Sequence, residues 1–432
     1  MHNIALALQK EGHDVTGSDD QIFEPSRSRL ERSGLLPDEE GWDSERITSD
    51  IELIILGMHA RDDNPELKRA SELGLTVVSF PEYIAMRSKD KQRLVVAGSH
   101  GKTSTTAMIM YVLKQKGIDF DYLVGSQLRG FDLMVKLSDA PLIVIEGDEY
   151  LSSPLDRRPK FLWYEPQIAI VTGIAWDHIN VFPTFDEYLE QFRLFERSMP
   201  PEGKLIYFDQ DEEMQKITKA VSDRAFVPYA GLQAYSGGVV FRGTEYPMRL
   251  FGSHNFQNMH AAILALKELG IPEEDSLTKL APFEGTARRL ELIHESSNAR
   301  VYRDFAHAPS KVKATVKAVR EGFPDHRIIA ALELHTFSSL NKDFLPQYAG
   351  SMDEADESFV YFSPKVLEAK RLETFTTSDV RSAFGNVQAF DTPTSLFGAI
   401  RSSADNDRDI LYLMMSSGTF GGVDLLHELS LD

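Results

Sequence analysis

The sequence predicts an α/β protein of three domains. Short apolar runs of strand character alternate with helical patterns along almost the whole chain, which is how parallel sheets with crossover helices read. The alternation is interrupted by a charged stretch at 88–92 and again around a glycine and paired arginines at 285–289. The length of 432 residues suits two to four separate cores.

Residues 1–12 read as a helix with Ile4, Ala5 and Leu8 on one face and Gly12 as its stop. Residues 13–20 read as a short strand ending in an acidic turn. In a dinucleotide-type βαβ unit such a helix follows a strand and a glycine loop, and an acidic residue after the second strand meets a ribose hydroxyl. The chain begins inside that helix, so the expectation is that the first strand and its loop are missing, through a misassigned start codon. The alternative is a domain that opens on a helix. Helices at 28–33, 64–73 and 81–87 and strands at 51–57 and 76–80 continue the pattern. Residues 1–90 are therefore expected to form an N-terminal Rossmann-like domain lacking its first strand.

The central domain, 91–287, opens on the most informative stretch. A β-branched run at 94–97 is followed by Gly98-Ser99-His100-Gly101-Lys102-Thr103 and then by an apolar helix, 104–115. Strand, glycine loop and helix is the context in which such a motif binds phosphate. The glycines let the backbone approach, the N–H groups of the loop and helix start face anionic oxygens, and Lys102 adds a charge. Thr103 can offer a hydroxyl to Mg²⁺. The pattern is a shortened P-loop, with Val96 standing where the first glycine would be.

Two further apolar strands carry chemistry at their ends. Residues 141–150 run into Glu146, Asp148 and Glu149, and residues 167–178 deliver Asp177 and His178. Carboxylates at the carboxyl ends of parallel strands sit where α/β sheets bind ligands, and beside a phosphate cradle they would hold Mg²⁺. An aromatic-rich amphipathic helix at 185–197, a strand at 203–208 and a set of short strands within 224–249 follow. Residues 250–270 combine a polar turn with a long apolar helix, where Asn255 and Asn258 either cap the helix or reach a base and ribose. The third domain, 288–432, reads as a doubly wound Rossmann-like α/β unit. Its strands are 299–304, ending in Asp304, then 327–334, 359–362 and 409–415, with a helix at 310–321.

Composition narrows the function classes. With no cysteine, thiolate metal sites, cysteine nucleophiles and disulfides are excluded. No run approaches the length of a membrane helix and no signal-peptide pattern opens the chain, so a cytoplasmic protein is expected. A formal charge of −20 argues against nucleic acid or an anionic membrane as the main partner.

Taken together, Gly98 to Ser104, Ile145 to Tyr150, Asp177-His178, Gly252 to Asn258, the Arg288-Arg289 pair before Leu290-Glu291, and Asp304 to Pro309 occur in the order and spacing of the Mur ligases, and the sequence resembles that family from about residue 15 onward. Within it the resemblance is to the branch that joins L-alanine or a tripeptide to UDP-N-acetylmuramate, with the tripeptide (L-Ala-γ-D-Glu-meso-diaminopimelate) ligase of murein recycling nearer and the L-alanine ligase as alternative. The resemblance implies an ATP-dependent carboxylate–amine ligase of peptidoglycan biosynthesis or recycling that works through an acyl phosphate. Its implied cofactors are ATP and Mg²⁺, and the chain is expected to be a monomer or weak homodimer.

The resemblance also implies roles. Gly98, Ser99, His100, Gly101, Lys102, Thr103 and Ser104 would bind ATP phosphates, Thr103 and Glu146 one Mg²⁺, and His178 a second metal. Asn255 and Asn258 would face adenine and ribose, Arg289 the phosphates, Asp304 the ribose, and His307 the entry of the amine. Ser18, Asp19 and His59 would meet the UDP substrate. Two departures stand out. No lysine occurs between His178 and Lys204, and Phe192 holds the place where several relatives carry a carbamylated lysine. Ala308 replaces the second His of the family's His-His-Pro. Folylpolyglutamate synthase would keep the ATP site but lacks a leading domain like residues 1–87. A non-catalytic ATP-binding regulator is opposed by the set Lys102, Glu146 and His178, and a P-loop kinase would yield a stable phosphorylated product.

Overall fold

The computed structural model describes residues 1–58, 60–61, 63–177, 179, 181–235, 237–286, 289–404 and 409–431. His59, His178 and Arg288, all singled out above, lie outside the described residues. Two compact units form: Met1–Gly98, Ile109–Thr172 and Leu189–Pro228 make one, and Ser99–Met108, Gly173–Tyr188 and Tyr229–Asp432 the other.

The first unit contains two sheets. Strands β1 (Ile54–Leu56) and β2 (Val77–Ser79) pair in parallel. The larger sheet comprises β3 (Gln92–Ala97), β4 (Asp121–Leu123), β5 (Val135–Lys136), β6 (Leu142–Glu146), β7 (Ile168–Val171), β8 (Lys204–Phe208) and β9 (Ala225–Tyr229). Their order is β5-β4-β6-β3-β7-β8-β9. β3, β4, β6, β7 and β8 run parallel along it, and β5 is antiparallel to β4. The innermost strands are buried on both faces, which is why β3, β6 and β7 read as continuous Val/Ile/Leu runs.

The expected strand at 13–20 does not form, and most of that segment is exposed. Its physical reason is composition. Val15 is the one large apolar side chain there, so the segment has nothing to bury, and a strand exists only as a paired ladder. The preceding helix is present as His2–Lys10 and stops as expected at Gly12, whose φ of 94° suits a residue without Cβ.

The second unit carries a small antiparallel sheet of β10 (Gln233–Tyr235), β11 (Gly238–Phe241) and β12 (Thr244–Pro247). Its main sheet comprises β13 (Glu291–Glu295), β14 (Ala299–Asp304), β15 (Arg327–Leu334), β16 (Glu357–Phe362), β17 (Gln388–Phe390) and β18 (Ile410–Ser416), in the order β13-β14-β18-β15-β16-β17. All pairs are parallel except β13 with β14. Alternation along β15 divides the core. Ile328, Ala330 and Leu332 join Val312, Val316 and Val319 of the helix Pro309–Gly322 on one face, while Ile329 and Ala331 join Leu396, Phe397 and Ile400 of the helix Pro393–Ser403 on the other. Each buried Ile, Leu or Phe in these layers contributes about 1.5–3 kcal/mol. The predicted α/β class holds, and the sheets present the carboxyl ends of their parallel strands as the place for a ligand.

Candidate active site

In the first unit, the sheet register sets three strand ends side by side. Val96 of β3 is the Cα partner of Glu146 in β6 and of Ile170 in β7. Gly98, with φ 123°, therefore leaves the sheet two residues beyond the level of Glu146. Glu146 is half-buried, and its Oε2 accepts the Gly125 N–H at 2.9 Å. A Cβ on Gly125 would come within 2.9 Å of the other carboxylate oxygen, so that glycine is what admits the Glu146 side chain. Asp148 is held by Lys160 at 2.6 Å, and Glu149 is fully buried. Phe192, at the place of the missing lysine, is buried against Phe161, ring centroids 5.7 Å apart. Ser18 donates its hydroxyl to the Glu66 carboxylate, and Asp19 accepts from the Asp20 N–H at 2.9 Å.

The second unit gathers site residues from five separated stretches. The glycine loop is fixed by Ser99. Its N–H reaches the Gly173 carbonyl at 2.9 Å, its Oγ accepts the Ala175 N–H at 2.8 Å, and the same Oγ bonds the Tyr188 hydroxyl at 2.7 Å. Ser99 is thus buried as an anchor, and Tyr188 is a partner the sequence did not reveal. Thr103 is buried in the first turn of the helix Lys102–Gln115, where Ser104 also lies. Gly101, φ 78°, packs so closely on Asn258 that a Cβ there would stand 2.3 Å from Asn258 Oδ1.

Asn258 is only 4 % exposed. Asn255 donates to the Phe251 carbonyl at 2.9 Å. Neither asparagine caps the helix Ser253–Glu268. Gly252 is its N-cap, and the Glu321 carboxylate takes the Ser253 N–H at 2.8 Å. Of the two roles open from the sequence, capping is therefore excluded.

Around these asparagines lies a set of nitrogen bases and cations. Burial, reinforced by His100 and Arg289, pushes His254 down to about 4, so it is neutral at pH 7. Its Nδ1 is buried without a partner. The Arg289 guanidinium lies 5.2 Å from the Phe305 ring centroid. Asp304 is buried, its carboxylate accepting N–H from Leu290 and Ala306, each at 2.7 Å. Burial raises it above the usual carboxylate range while Arg289 opposes that.

Burial also pushes His307 down to about 3, aided by Lys311 and opposed by Asp177. Its Nδ1 lies 2.8 Å from the Phe305 carbonyl, an atom that can only accept. The neutral ring therefore carries its proton on Nδ1, and Nε2 is left unprotonated. Asp177 pairs with Lys311 at 3.0 Å.

Thr103 in the second unit offers a hydroxyl and Glu146 in the first a carboxylate, each by itself a hard oxygen donor of the kind Mg²⁺ takes alongside phosphate oxygens and water. No group of three His, Asp or Glu that could hold a metal occurs among the described residues.

Removing the hydroxyl that steadies the loop tests the Ser99 anchor. Tyr188→Phe is expected to raise the KM for ATP by about three- to tenfold, the range of one ordinary hydrogen bond, with kcat changed less. Steady-state kinetics at varied ATP would read this, and an unchanged KM would count against the anchor.

Comparison with known proteins agrees with this geometry. Residues 96–266 match the family model of the Mur ligase middle domain, and residues 288–418 that of the Mur ligase, glutamate ligase domain. A UDP-N-acetylmuramate–L-alanine ligase of Desulfitobacterium hafniense is 32% identical over 320 residues, covering 71% of this chain and 70% of its own. The UDP-N-acetylmuramate–L-alanyl-γ-D-glutamyl-meso-2,6-diaminoheptandioate ligase of Haemophilus influenzae is 29% identical over 450 residues, 100% of this chain and 96% of its own. The crystal structure of a murein peptide ligase from Psychrobacter arcticus superposes with a TM-score of 0.69 at 25% identity, covering 99% of this chain and 96% of that one. The glycine loop, the strand-end acids and these matches agree, and the chain belongs to the Mur ligases, ATP-dependent enzymes that form C–N bonds.

Proposed function

We propose that the protein joins the carboxylate of UDP-N-acetylmuramate to the amine of the tripeptide L-alanyl-γ-D-glutamyl-meso-diaminopimelate, in murein recycling. The observation that carries the nucleotide half is the seating of Asn258, a buried amide, directly against Gly101 of the glycine loop. The donor is supported by the length of the match. The similarity to the tripeptide-type ligase runs over 100% of the chain, whereas that to the D. hafniense L-alanine ligase covers 71%. L-Alanine is the second reading, because that shorter match is the more identical one.

The chemistry runs in two displacements. A carboxylate oxygen attacks the γ-phosphorus of ATP, the bond to the β-bridging oxygen breaks, and ADP leaves with that electron pair. The amine nitrogen then attacks the acyl carbon, and the tetrahedral intermediate expels phosphate. Two anions must be brought together, so the protein's work is charge compensation and alignment. Lys102 and the N–H groups of Gly98 and of His100 to Ser104 hold the β- and γ-phosphates, while Ser99, its N–H already on the Gly173 carbonyl, anchors the loop. Arg289 lies on the phosphates, Asn255 and Asn258 on adenine and ribose, and Asp304 on the ribose. His307, neutral at Nε2, is assigned to the entry of the amine, whose proton leaves with the phosphate. Mg²⁺, held by Thr103 and Glu146 with His178 on a second ion, would supply further charge neutralisation at the transferring phosphate. Ser18, Asp19 and His59 are assigned to the UDP end.

The same reading divides the chain at 1–90, 91–287 and 288–432, makes it a monomer or weak homodimer, and assigns it to the cytoplasm. No helix of the described residues is long and apolar enough to cross a membrane.

A coupled phosphate-release assay tests the assignment. Release should require UDP-N-acetylmuramate, ATP and an amine together, with kcat/KM at least about tenfold higher for the tripeptide than for L-alanine, the size of a well-used polar contact. The reverse order would assign the L-alanine donor. Release that ignores the amine would remove the ligase reading.

A further inference from the structure

The ion pair between Lys311 and Asp177 breaks two local rules of stability. Lys311 lies in the first turn of the helix Pro309–Gly322, where the helix dipole favours an acid and no acid is present. Its side chain is 16 % exposed and that of Asp177 7 %, and a buried ion pair stabilises a fold no better than apolar side chains of similar volume. Where a chain keeps a locally unfavourable choice, function is the first place to look.

The pair's position suggests what that function is. Asp177 directly precedes His178 and closes the segment whose Gly173 carbonyl and Ala175 N–H hold Ser99 of the glycine loop. Lys311 follows His307 by four residues. The carbonyl of His307 accepts the Tyr348 hydroxyl, and the neighbouring Phe344 ring stands edge-on to Trp176, centroids 6.3 Å apart. One 3.0 Å contact thus ties the stretch that carries the glycine-loop anchor to the stretch that carries the neutral imidazole.

We infer that Lys311 is a positioning residue for the ligase reaction: by holding Asp177 it sets the 173–177 segment against His307, so that the acyl phosphate and the incoming amine are aligned. The inference rests on the ligase reading above. It assigns no contact between Lys311 and substrate.

The test compares the full-length wild type with Lys311→Met, Lys311→Arg, and Lys311→Met combined with Asp177→Asn, in the phosphate-release assay and in thermal unfolding. Lys311→Met is expected to lower kcat at least about tenfold while the KM for ATP stays within about twofold, because alignment and not nucleotide binding is lost. Lys311→Arg, which keeps a cation on a long stem, should recover kcat to within about threefold. The double variant should regain the melting temperature that the single variant loses, since no charge is left buried alone, without regaining kcat. A Lys311→Met protein with a lower melting temperature but native kcat would make the pair a structural brace and overturn the inference, as would recovery of kcat in the double variant. A wild type that releases no phosphate with either donor would instead remove the ligase reading, a result distinct from both.

Discussion

Replacing Lys102 with alanine is expected to lower kcat by about 10³-fold, the loss seen when a charge that compensates a transferring phosphoryl group is removed. The expectation follows from the economy of the site. The chain carries a formal charge of −20, so two polyanionic reactants approach a protein whose average field repels them. Only local cations can reverse that, and Lys102 stands at the start of the helix Lys102–Gln115, where its ammonium adds to the positive end of the helix dipole. The helix beyond is anchored independently by Met108, Ile109, Met110, Val112 and Leu113, all fully buried. The substitution should therefore leave the melting temperature within a degree or two of wild type while turnover disappears. Lys102→Arg, although it conserves charge, should recover little, since a planar fork cannot take the place of a compact ammonium in a loop this tight. Near-native phosphate release by Lys102→Ala would remove the nucleotide assignment altogether.

Much of this was legible in the sequence because the strongest signals are local. β3, β6 and β7 are unbroken apolar runs, and a strand buried on both faces has no choice but to read so. The glycine loop was legible for the same reason, since its glycines, lysine and threonine are consecutive. What stayed hidden falls into two kinds. Short or edge elements leave too few residues to form a period. β5 has two residues and β17 three, while β13, Glu291–Glu295, is a polar edge strand. Conversely, a weak local pattern at 13–20 suggested a strand that has no apolar face to pair with. The helix Pro393–Ser403 could have been found from Leu396, Phe397 and Ile400, which form a stripe at helical spacing.

The site residues divide along the same line. Tyr188 binds Ser99 across 89 positions of sequence, and Lys311 binds Asp177 across 134, so no window along the chain connects them. Tyr188 reads only as one more aromatic on an amphipathic helix, and Lys311 as a surface charge. His254 did carry a signal, because it lies between a positive-φ glycine and two asparagines already suspected. Its lowered pKa, however, depends on burial and on the charges of His100 and Arg289, which arrive from elsewhere. Asp304 shows how a correct location can come with an unexpected duty. It ends β14 as predicted, yet its oxygens already hold the N–H groups of Leu290 and Ala306, so part of its work is to shape the turn on which Arg289 sits.

The largest effect from the smallest change is expected at Gly101. Its φ of 78° would cost an L-residue about 1–2 kcal/mol of backbone strain by itself. A methyl group there would also lie 2.3 Å from Asn258 Oδ1 and 3.0 Å from Asn258 Cγ, and one of the two segments must give way. The loop has little room to do so, because two residues upstream Ser99 is bound to Gly173, Ala175 and Tyr188. The helix Ser253–Glu268 has little more, because Phe256, Met259, Ala261, Ala262 and Ile263 are buried along it. The Asn258 amide is therefore driven off its position, and Gly101→Ala strikes the phosphate loop and the amide proposed for adenine and ribose together. The KM for ATP should rise by about 100-fold, equivalent to about 2.7 kcal/mol of binding. A double-mutant cycle separates this coupling from simple strain. In the wild type, Asn258→Ala should weaken ATP binding about tenfold, the range for a hydrogen-bonding group removed from a buried site. In the Gly101→Ala background, where the amide is already displaced, the same change should cost less than about threefold, because neighbouring residues that share one contact are not additive. Isothermal titration with a non-hydrolysable ATP analogue on the four proteins measures the cycle. Two independent losses that multiply would mean that the glycine loop and Asn258 serve separate ends, and the common nucleotide site argued from their contact would not stand.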